Sequence, residues 1–332
     1  MLIHHELIPT KHHLTAMNSL FDTLIFSLSI TTPIFVVLAL GIFLNYRRLI
    51  NDNFIDIGSR IVFNISLPVM LFISISQTSI EQFSKLSLIG VGLGCTLIAW
   101  ILMEIFASRI VEPSGDRGVV IQGSFRANLG IIGLAYCVNA YGEAGLVAAS
   151  LYLGLMTIVF NVLSVITLNR SLHTALSLKQ TLKNIAKNPL IMGIVLALPF
   201  SAWSIELPAL VIKTGGYLSG LTLPLALICT GASLDFNALR NSFGNALIAS
   251  VSKLIFVPSI MILAGLWLGF EGLDLGILVL MASAPTSSVS YIMVRTIGGN
   301  APLAANIIAI TTLGSLVTTS VFITFLKSFG YL

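Results

Sequence analysis

The sequence contains very little charge. Only 9% of its 332 residues are Asp, Glu, Lys or Arg, whereas a soluble domain carries about 25%. Hydrophobic residues make up 56% of the chain, and the mean hydropathy is +0.99. So few charged side chains cannot cover a water-facing surface. The apolar runs are long and continuous rather than alternating, which predicts helices and not a β-barrel. The composition therefore predicts an all-α polytopic membrane protein.

Other missing features exclude further classes. No GxxxxGK[ST] motif is present, which excludes direct ATP drive from this chain. The five histidines stand at positions 4, 5, 12, 13 and 173, outside the apolar segments, and no HExxH motif occurs. An intramembrane enzyme is therefore not expected. The three cysteines lie singly in apolar stretches, without a disulfide or metal-ligand spacing. We expect no cofactor, no metal site and no nucleic-acid partner.

Ten apolar segments follow a polar tail that covers residues 1–20. Most are close to the roughly 20 residues that span a bilayer. They run over residues 24–45, 55–76, 86–108, 118–140, 144–168, 189–205, 214–234, 244–269, 274–295 and 301–327.

Positive charges predict the orientation of these segments, because Lys and Arg concentrate on the cytoplasmic side. With the N-terminus outside, eleven Lys or Arg residues fall on the inner side and four on the outer side. Both termini are then expected on the outer side of the inner membrane. The loop over 169–188 carries four Lys or Arg and no acid. It is predicted to form an amphipathic helix on the anionic cytoplasmic leaflet.

The two halves of the chain resemble each other. Three pairs of residues share a separation of 156 positions: Pro33 and Pro189, Pro68 and Pro224, and Gly142 and Gly298. Five segments per copy is an odd number, so the second copy must enter the membrane from the opposite side. The sequence thus predicts two inverted five-helix repeats, over 21–168 and 189–332, with substrate near the membrane midplane.

Residues 117–141 stand out among the segments because they are polar as well as apolar. They include Gln122, Arg126 and Asn128 and four glycines, and each polar group costs free energy in hydrocarbon unless a partner satisfies it. At the separation of 156 the stretch pairs with residues 273–297, which Pro285 interrupts. Each half is therefore predicted to contain one broken helix, the fourth and the ninth, at the same place.

Such a pair of broken helices suits a small organic anion. Half-helix N-termini carry partial positive charge, and Asn, Ser and Thr add neutral hydrogen bonds. The candidate substrate-binding residues in and around the two interruptions are Asn128, Gly130, Gly133, Pro285, Thr286, Ser287 and Ser288, with Asn64 on the second segment.

Three charged residues inside apolar segments each have two interpretations. Arg126 either contacts the anion directly or forms a structural pair with Glu104, which lies at similar depth. Glu104 is a candidate for proton coupling or, alternatively, the partner of Arg126 or Arg109. Lys253 is too deep to reach the interface, so it should face a cavity or the interior, as a cation for the substrate or for coupling.

Several stretches resemble the auxin efflux carrier family in its bacterial, malate-permease-like form. They are TTPIFVVLALGIFL, NISLPVMLFIS, QGSFRANLGIIGLA, LSGLTLPLALICTGASL and ASAPTSSVSYIMVRTIGGN. The resemblance implies ten helices in two inverted five-helix repeats, with the fourth and ninth broken and crossing. It also implies a scaffold of helices one, two, six and seven beside a mobile, elevator-like part. Members move small organic anions, and Asn128 and Pro285 would be site residues.

One departure concerns Ala135, where many relatives have proline. The break in the fourth helix must then depend on Gly130 and Gly133.

The leading hypothesis is a secondary transporter of a small organic anion such as a carboxylate. Such a transporter would act as a uniporter or would couple the anion to protons or sodium. A homodimer is compatible with the sequence. A sodium-coupled bile-acid-type symporter is the near alternative, although no cluster of acids favours it. An intramembrane enzyme is the alternative from another class.

Overall fold

The computed structural model describes residues 11–77, 86–172, 183, 186–234 and 243–332. Over these ranges the chain is helical and contains no β-strand. The thirteen α-helices of the described part are α1 Lys11–Tyr46, α2 Asp52–Ile61, α3 Leu67–Ser76, α4 Leu86–Ile110, α5 Arg117–Phe125, α6 Leu134–Leu172, α7 Pro189–Ala202, α8 Ala209–Ala232, α9 Phe243–Val251, α10 Val257–Trp267, α11 Gly272–Ser283, α12 Val289–Thr296 and α13 Ala301–Ser328.

Two pairs of these helices each form one continuous span. A π-helical turn over Val62–Ser66 joins α2 to α3, and another over Ser252–Phe256 joins α9 to α10. In both cases the second residue of the following helix is a proline, Pro68 or Pro258. Proline has no backbone N–H and its ring crowds the carbonyl four residues earlier, so a wider turn accommodates it. The proline therefore changes the local winding without ending the span.

Seven helical stretches in the described residues are long and apolar enough to cross a membrane, and α7 and α11 are shorter apolar helices. All ten predicted segments overlap helices, which confirms an all-helical membrane protein. The number of long spans does not by itself establish ten crossings or an inverted repeat.

The boundary between the fourth and fifth predicted segments differs from expectation. Helix α6 begins at Leu134, in the last part of the fourth segment, and continues through the fifth; within it only Gly142 departs from helical geometry, with φ of 58° and ψ of −137°. Gly298, which the repeat pairs with Gly142, also has positive φ, at 79°. Residues other than glycine rarely adopt this backbone conformation. Both glycines thus have a positive φ, at corresponding positions of the two halves of the chain.

Two predicted features of the chain's polar parts lie wholly or partly outside the described residues. The predicted tail over 1–20 is described only from residue 11, and α1 already begins there. The predicted amphipathic helix over 169–188 lies mostly outside the described ranges.

The helices assigned to the scaffold by the family resemblance pack against one another. Helix α1 packs closely on α8, and α3 packs on α7 and α8. A Cβ atom at Gly41 would overlap the carbonyl oxygen of Ile228, and one at Gly231 would overlap that of Leu38. Small residues allow helix backbones in a membrane to approach closely. The remaining long helices surround the two interrupted segments, where α5 contacts α4, α6, α9 and α13.

Candidate functional site at the helix crossing

Both helices predicted to be interrupted are interrupted. Helix α5 ends at Phe125, and Arg126 takes an extended conformation with ψ of 98° before the π-helical turn over Leu129–Gly133 leads into α6. Helix α11 ends at Ser283, and Ala284 is extended with ψ of 138°. Ala284 precedes Pro285, and a residue before proline is disfavoured in the helical conformation. The second interruption therefore has a local sequence cause. The first contains no proline.

Main-chain hydrogen bonds join the two interruptions. The amide of Asn128 donates to the carbonyl oxygen of Pro285 at 2.7 Å, and the amide of Ser287 donates to that of Arg126 at 3.0 Å. Ala127 and Thr286 form an isolated antiparallel bridge between these bonds. In a bilayer, every backbone group freed by unwinding needs a partner. Each interruption supplies partners for the other, so the crossing stabilises both.

Side chains cap the carbonyl ends of the two half-helices. The hydroxyl of Thr286 donates to the carbonyl oxygen of Gly123, in the last turn of α5, at 2.7 Å. The ammonium of Lys253 donates to the carbonyl oxygen of Ala282, in the last turn of α11, at 2.7 Å. The carbonyls of a last turn have no intrahelical partner. Thr286 and Lys253 therefore act here as helix caps.

A cavity of about 350 Å³ lies beside the crossing. Five of the residues predicted to bind substrate line it: Asn64, Arg126, Asn128, Gly130 and Ser287. Among the described residues, the cavity lining includes two with positive charge, Arg126 and Lys187, and no Asp or Glu. Asn128 is only 6% exposed, and its side chain makes no hydrogen bond with any described residue. The cavity thus combines apolar walls with two cationic residues and an amide that has no protein partner in the described structure.

Arg126 is held in place by neutral groups. It is 5% exposed, and its Nη1 donates to the carbonyl oxygen of Phe160 at 3.2 Å and to Oγ of Ser164 at 2.9 Å. Its Nη2 donates to Oδ1 of Asn161 at 2.8 Å. No carboxylate of the described residues pairs with it. The expected pairing of Arg126 with Glu104 is therefore not formed.

Glu104 pairs instead with Arg170. The carboxylate is 3.5 Å from Nη1 of Arg170 and accepts a hydrogen bond from the hydroxyl of Thr167 at 2.9 Å. These residues line a separate cavity of about 190 Å³ together with Arg117 and several serines. Neither of the partners expected for Glu104, Arg126 and Arg109, pairs with it. Glu104 is thus not part of the cavity beside the crossing.

The other predicted site residues lie outside the 350 Å³ cavity. Gly133 allows close packing, since a Cβ atom there would lie 2.9 Å from Sδ of Met281. Pro285, Thr286 and Lys253 serve the crossing through the hydrogen bonds given above. Ser288 lines a small cavity of about 50 Å³, which Ser59, Thr230 and Ser233 also line.

Several lining residues were missed in the sequence. They are Phe63, Thr157, Asn161, Lys187 and Asn188. Asn161 carried the same signal as Asn128, an amide in the middle of an apolar segment, and could have been found by that criterion. Lys187 and Asn188 precede α7 and had no such signal, because polar residues are ordinary in a loop.

A family comparison identifies the class of protein that contains this crossing. The profile of the family described as membrane transport protein matches residues 27–323. The chain belongs to this family. Its resemblance to the auxin efflux carriers is thereby confirmed, and so is the expectation of a multi-pass transporter that is not an enzyme.

Two relatives found by sequence are named as a transporter and a carrier. An uncharacterized transporter of Methanothermobacter thermautotrophicus is 26% identical over 287 residues, which is 86% of this chain and 93% of the relative. Auxin efflux carrier component 1 of Arabidopsis thaliana is 27% identical over 131 residues, or 38% of this chain and 21% of the relative. Among solved structures, the sodium proton antiporter MjNhaP1 of Methanocaldococcus jannaschii is 14% identical with a TM-score of 0.48, covering 96% of this chain and 98% of the antiporter.

Proposed function

We propose that this family member is a secondary transporter of a small organic anion, such as a carboxylate, and that the anion binds in the cavity beside the crossing. The observation that carries the proposal is Arg126, a buried guanidinium that lines an acid-free cavity. A buried charge without a counter-charge costs several kcal/mol. An anionic substrate would supply that counter-charge while it is bound.

The size and the neutral groups of the cavity support the same substrate class. Small-molecule sites have volumes of roughly 300–1,000 Å³, and about 350 Å³ is at the lower end of that range. The side-chain amides of Asn64 and Asn128 can donate hydrogen bonds to carboxylate oxygens without adding charge. Ser287 adds a hydroxyl. The combination favours a small, hydrated anion over a bulky apolar molecule.

The mechanism we propose is elevator-like alternating access by two inverted five-helix repeats. The close packing of α1, α3, α7 and α8 supports a scaffold, and the positive φ angles of both Gly142 and Gly298 support the repeat. Lys187 is exposed and lines the cavity. With both termini outside the inner membrane, this end of the cavity would face the cytoplasm.

The coupling ion stays open between proton, sodium and none. Glu104 is the candidate for proton coupling, in its own cavity. A sodium-coupled bile-acid-type symporter remains the alternative function, and a homodimer is compatible with either.

A transport screen tests the proposed function. The purified protein is reconstituted in proteoliposomes and offered labelled mono- and dicarboxylates, with and without proton and sodium gradients. We expect saturable uptake of at least one carboxylate above the level of empty liposomes, and inhibition by an excess of unlabelled anion. Uptake only of neutral or cationic solutes would contradict the proposal. Strict dependence on a sodium gradient would favour the bile-acid-type alternative.

A further inference from the structure

Lys253 is the most deeply buried charged side chain of the described residues. It is 0% exposed and lies in the π-helical turn Ser252–Phe256 between α9 and α10. Its ammonium donates to the carbonyl oxygen of Ala282 at 2.7 Å. It does not line the 350 Å³ cavity. Lys253 therefore has no part in the proposed binding of the substrate.

The counter-charge of Lys253 is the end of a helix. No carboxylate of the described residues pairs with its ammonium, and Ala282 belongs to the last turn of α11. The C-terminus of a helix carries a partial negative charge equivalent to roughly half an elementary charge, and cations are stabilised there. The interruption at Pro285 places that helix end inside the protein, where water cannot neutralise it. Lys253 supplies the positive charge.

The two interruptions differ in how their carbonyl ends are capped. The end of α5 receives a neutral hydroxyl from Thr286, whereas the end of α11 receives the Lys253 ammonium. Under the separation of 156 residues, Lys253 corresponds to Leu97, so the repeat does not reproduce the charge. Among the described residues, a cation that caps the carbonyl end of a half-helix is thus found at the second interruption and not at the first.

We propose that the ammonium of Lys253 is the permanent counter-charge of the C-terminal end of α11, at the interruption before Pro285. Its ammonium occupies the position in which a bound metal cation would otherwise neutralise the end of α11, so the crossing forms without one. Lys253 is a positioning residue, since it acts on the main chain of α11 and not on the substrate. The inference does not depend on which substrate is carried.

Chemical rescue tests this proposal. Lys253→Ala removes Cγ, Cδ, Cε and Nζ, and propylammonium has the same four heavy atoms. Wild type, Lys253→Ala, Lys253→Met and Lys253→Arg are purified in detergent, and their Tm values are measured in sodium chloride, choline chloride and propylammonium chloride at equal ionic strength. Lys253→Met is the matched control, because its side chain fills the space without a charge. Propanol is the neutral control for the added molecule.

We expect the wild-type Tm to be the same in sodium and choline chloride. Loss of a charged hydrogen bond should lower the Tm of Lys253→Ala and Lys253→Met by on the order of 5 °C. Propylammonium, but not propanol, should raise the Tm of Lys253→Ala alone, and Lys253→Arg should retain most of the wild-type value.

Three results would overturn the proposal. They are a Lys253→Met variant as stable as wild type, a wild-type Tm that rises in sodium relative to choline, and an equal effect of propylammonium on all variants. If Lys253→Ala cannot be purified, two other measurements decide the proposal. They are the Tm of Lys253→Met relative to wild type and the wild-type Tm in sodium chloride relative to choline chloride. Because every reading is a Tm, the outcome is independent of the transport screen.

Discussion

The main-chain amide of Asn128 donates to the carbonyl oxygen of Pro285 at 2.7 Å, and this bond joins the interruptions of the fourth and ninth segments. The bond uses only the backbone N–H of Asn128, so the side chain of this residue can face the cavity. The same residue thus holds the crossing through its main chain and offers an amide to a ligand through its side chain.

Asn128→Ala should lower kcat/KM for the transported anion about tenfold to a hundredfold. A hydrogen bond to a charged group contributes about 1.5–3 kcal/mol, and each 1.4 kcal/mol is a factor of about ten. The main-chain bond to Pro285 is kept, so the variant should fold. The measurement is initial uptake into proteoliposomes at several substrate concentrations.

Asn139→Ala is the control, because Asn139 donates to the carbonyl oxygen of Ile30 away from the cavity. Equal uptake by Asn128→Ala and wild type would remove Asn128 from the binding site.

Arg126→Gln should abolish measurable uptake, and Arg126→Lys should retain part of it. The lysine variant keeps the charge, but an ammonium cannot reproduce the planar set of donors that reaches Asn161 and Ser164. Substrate binding to the purified variants by isothermal titration separates a binding defect from a transport defect.

Arg60→Gln provides the matched control for Arg126. Arg60 pairs with Asp56 at 2.9 Å on an exposed helix face, and such surface pairs contribute little. We expect its uptake to match wild type. Anion binding by Arg126→Gln with unchanged affinity would show that the guanidinium is structural.

Thr286→Val should destabilise the protein by about 1–3 kcal/mol, because the carbonyl oxygen of Gly123 loses its partner in a buried position. Thr286→Ser keeps the hydroxyl and should remain close to wild type. The measurement is the Tm in detergent without substrate. Since Thr286 is outside the cavity, substrate affinity of the folded fraction should change less in Thr286→Val than in Asn128→Ala. The reverse order would place Thr286 in contact with the substrate.

Glu104→Gln should leave substrate affinity unchanged, because Glu104 lies with Arg170 and Thr167 in a separate cavity. The same proteoliposomes, assayed between pH 5 and 8, also test its role in coupling. A pH dependence of uptake that matches wild type would remove Glu104 as the proton carrier. A flat profile in Glu104→Gln beside a pH-dependent wild type would instead identify Glu104 as the proton carrier.

The positions of the two interruptions could be predicted because their causes are local. Pro285 forces Ala284 out of the helix, and polar residues in the stretch over 117–141 would be costly in an unbroken lipid-facing helix. The partners of the charged residues could not be predicted in the same way. Arg126 and Glu104 have similar depths in their segments, yet they contact different turns of α6. Arg126 contacts Asn161 and Ser164, whereas Glu104 contacts Arg170.

By itself, the sequence determined the membrane class, the family and the places where two helices break. These properties follow from composition, motifs and the residues on either side of each break. Only the tertiary structure decided which side each helix presents to its neighbours. It placed Arg126 on the cavity beside the crossing and Lys253 at the end of α11. The depth of a residue in a membrane can be counted along the chain, but its direction around the helix axis depends on packing between segments far apart in sequence.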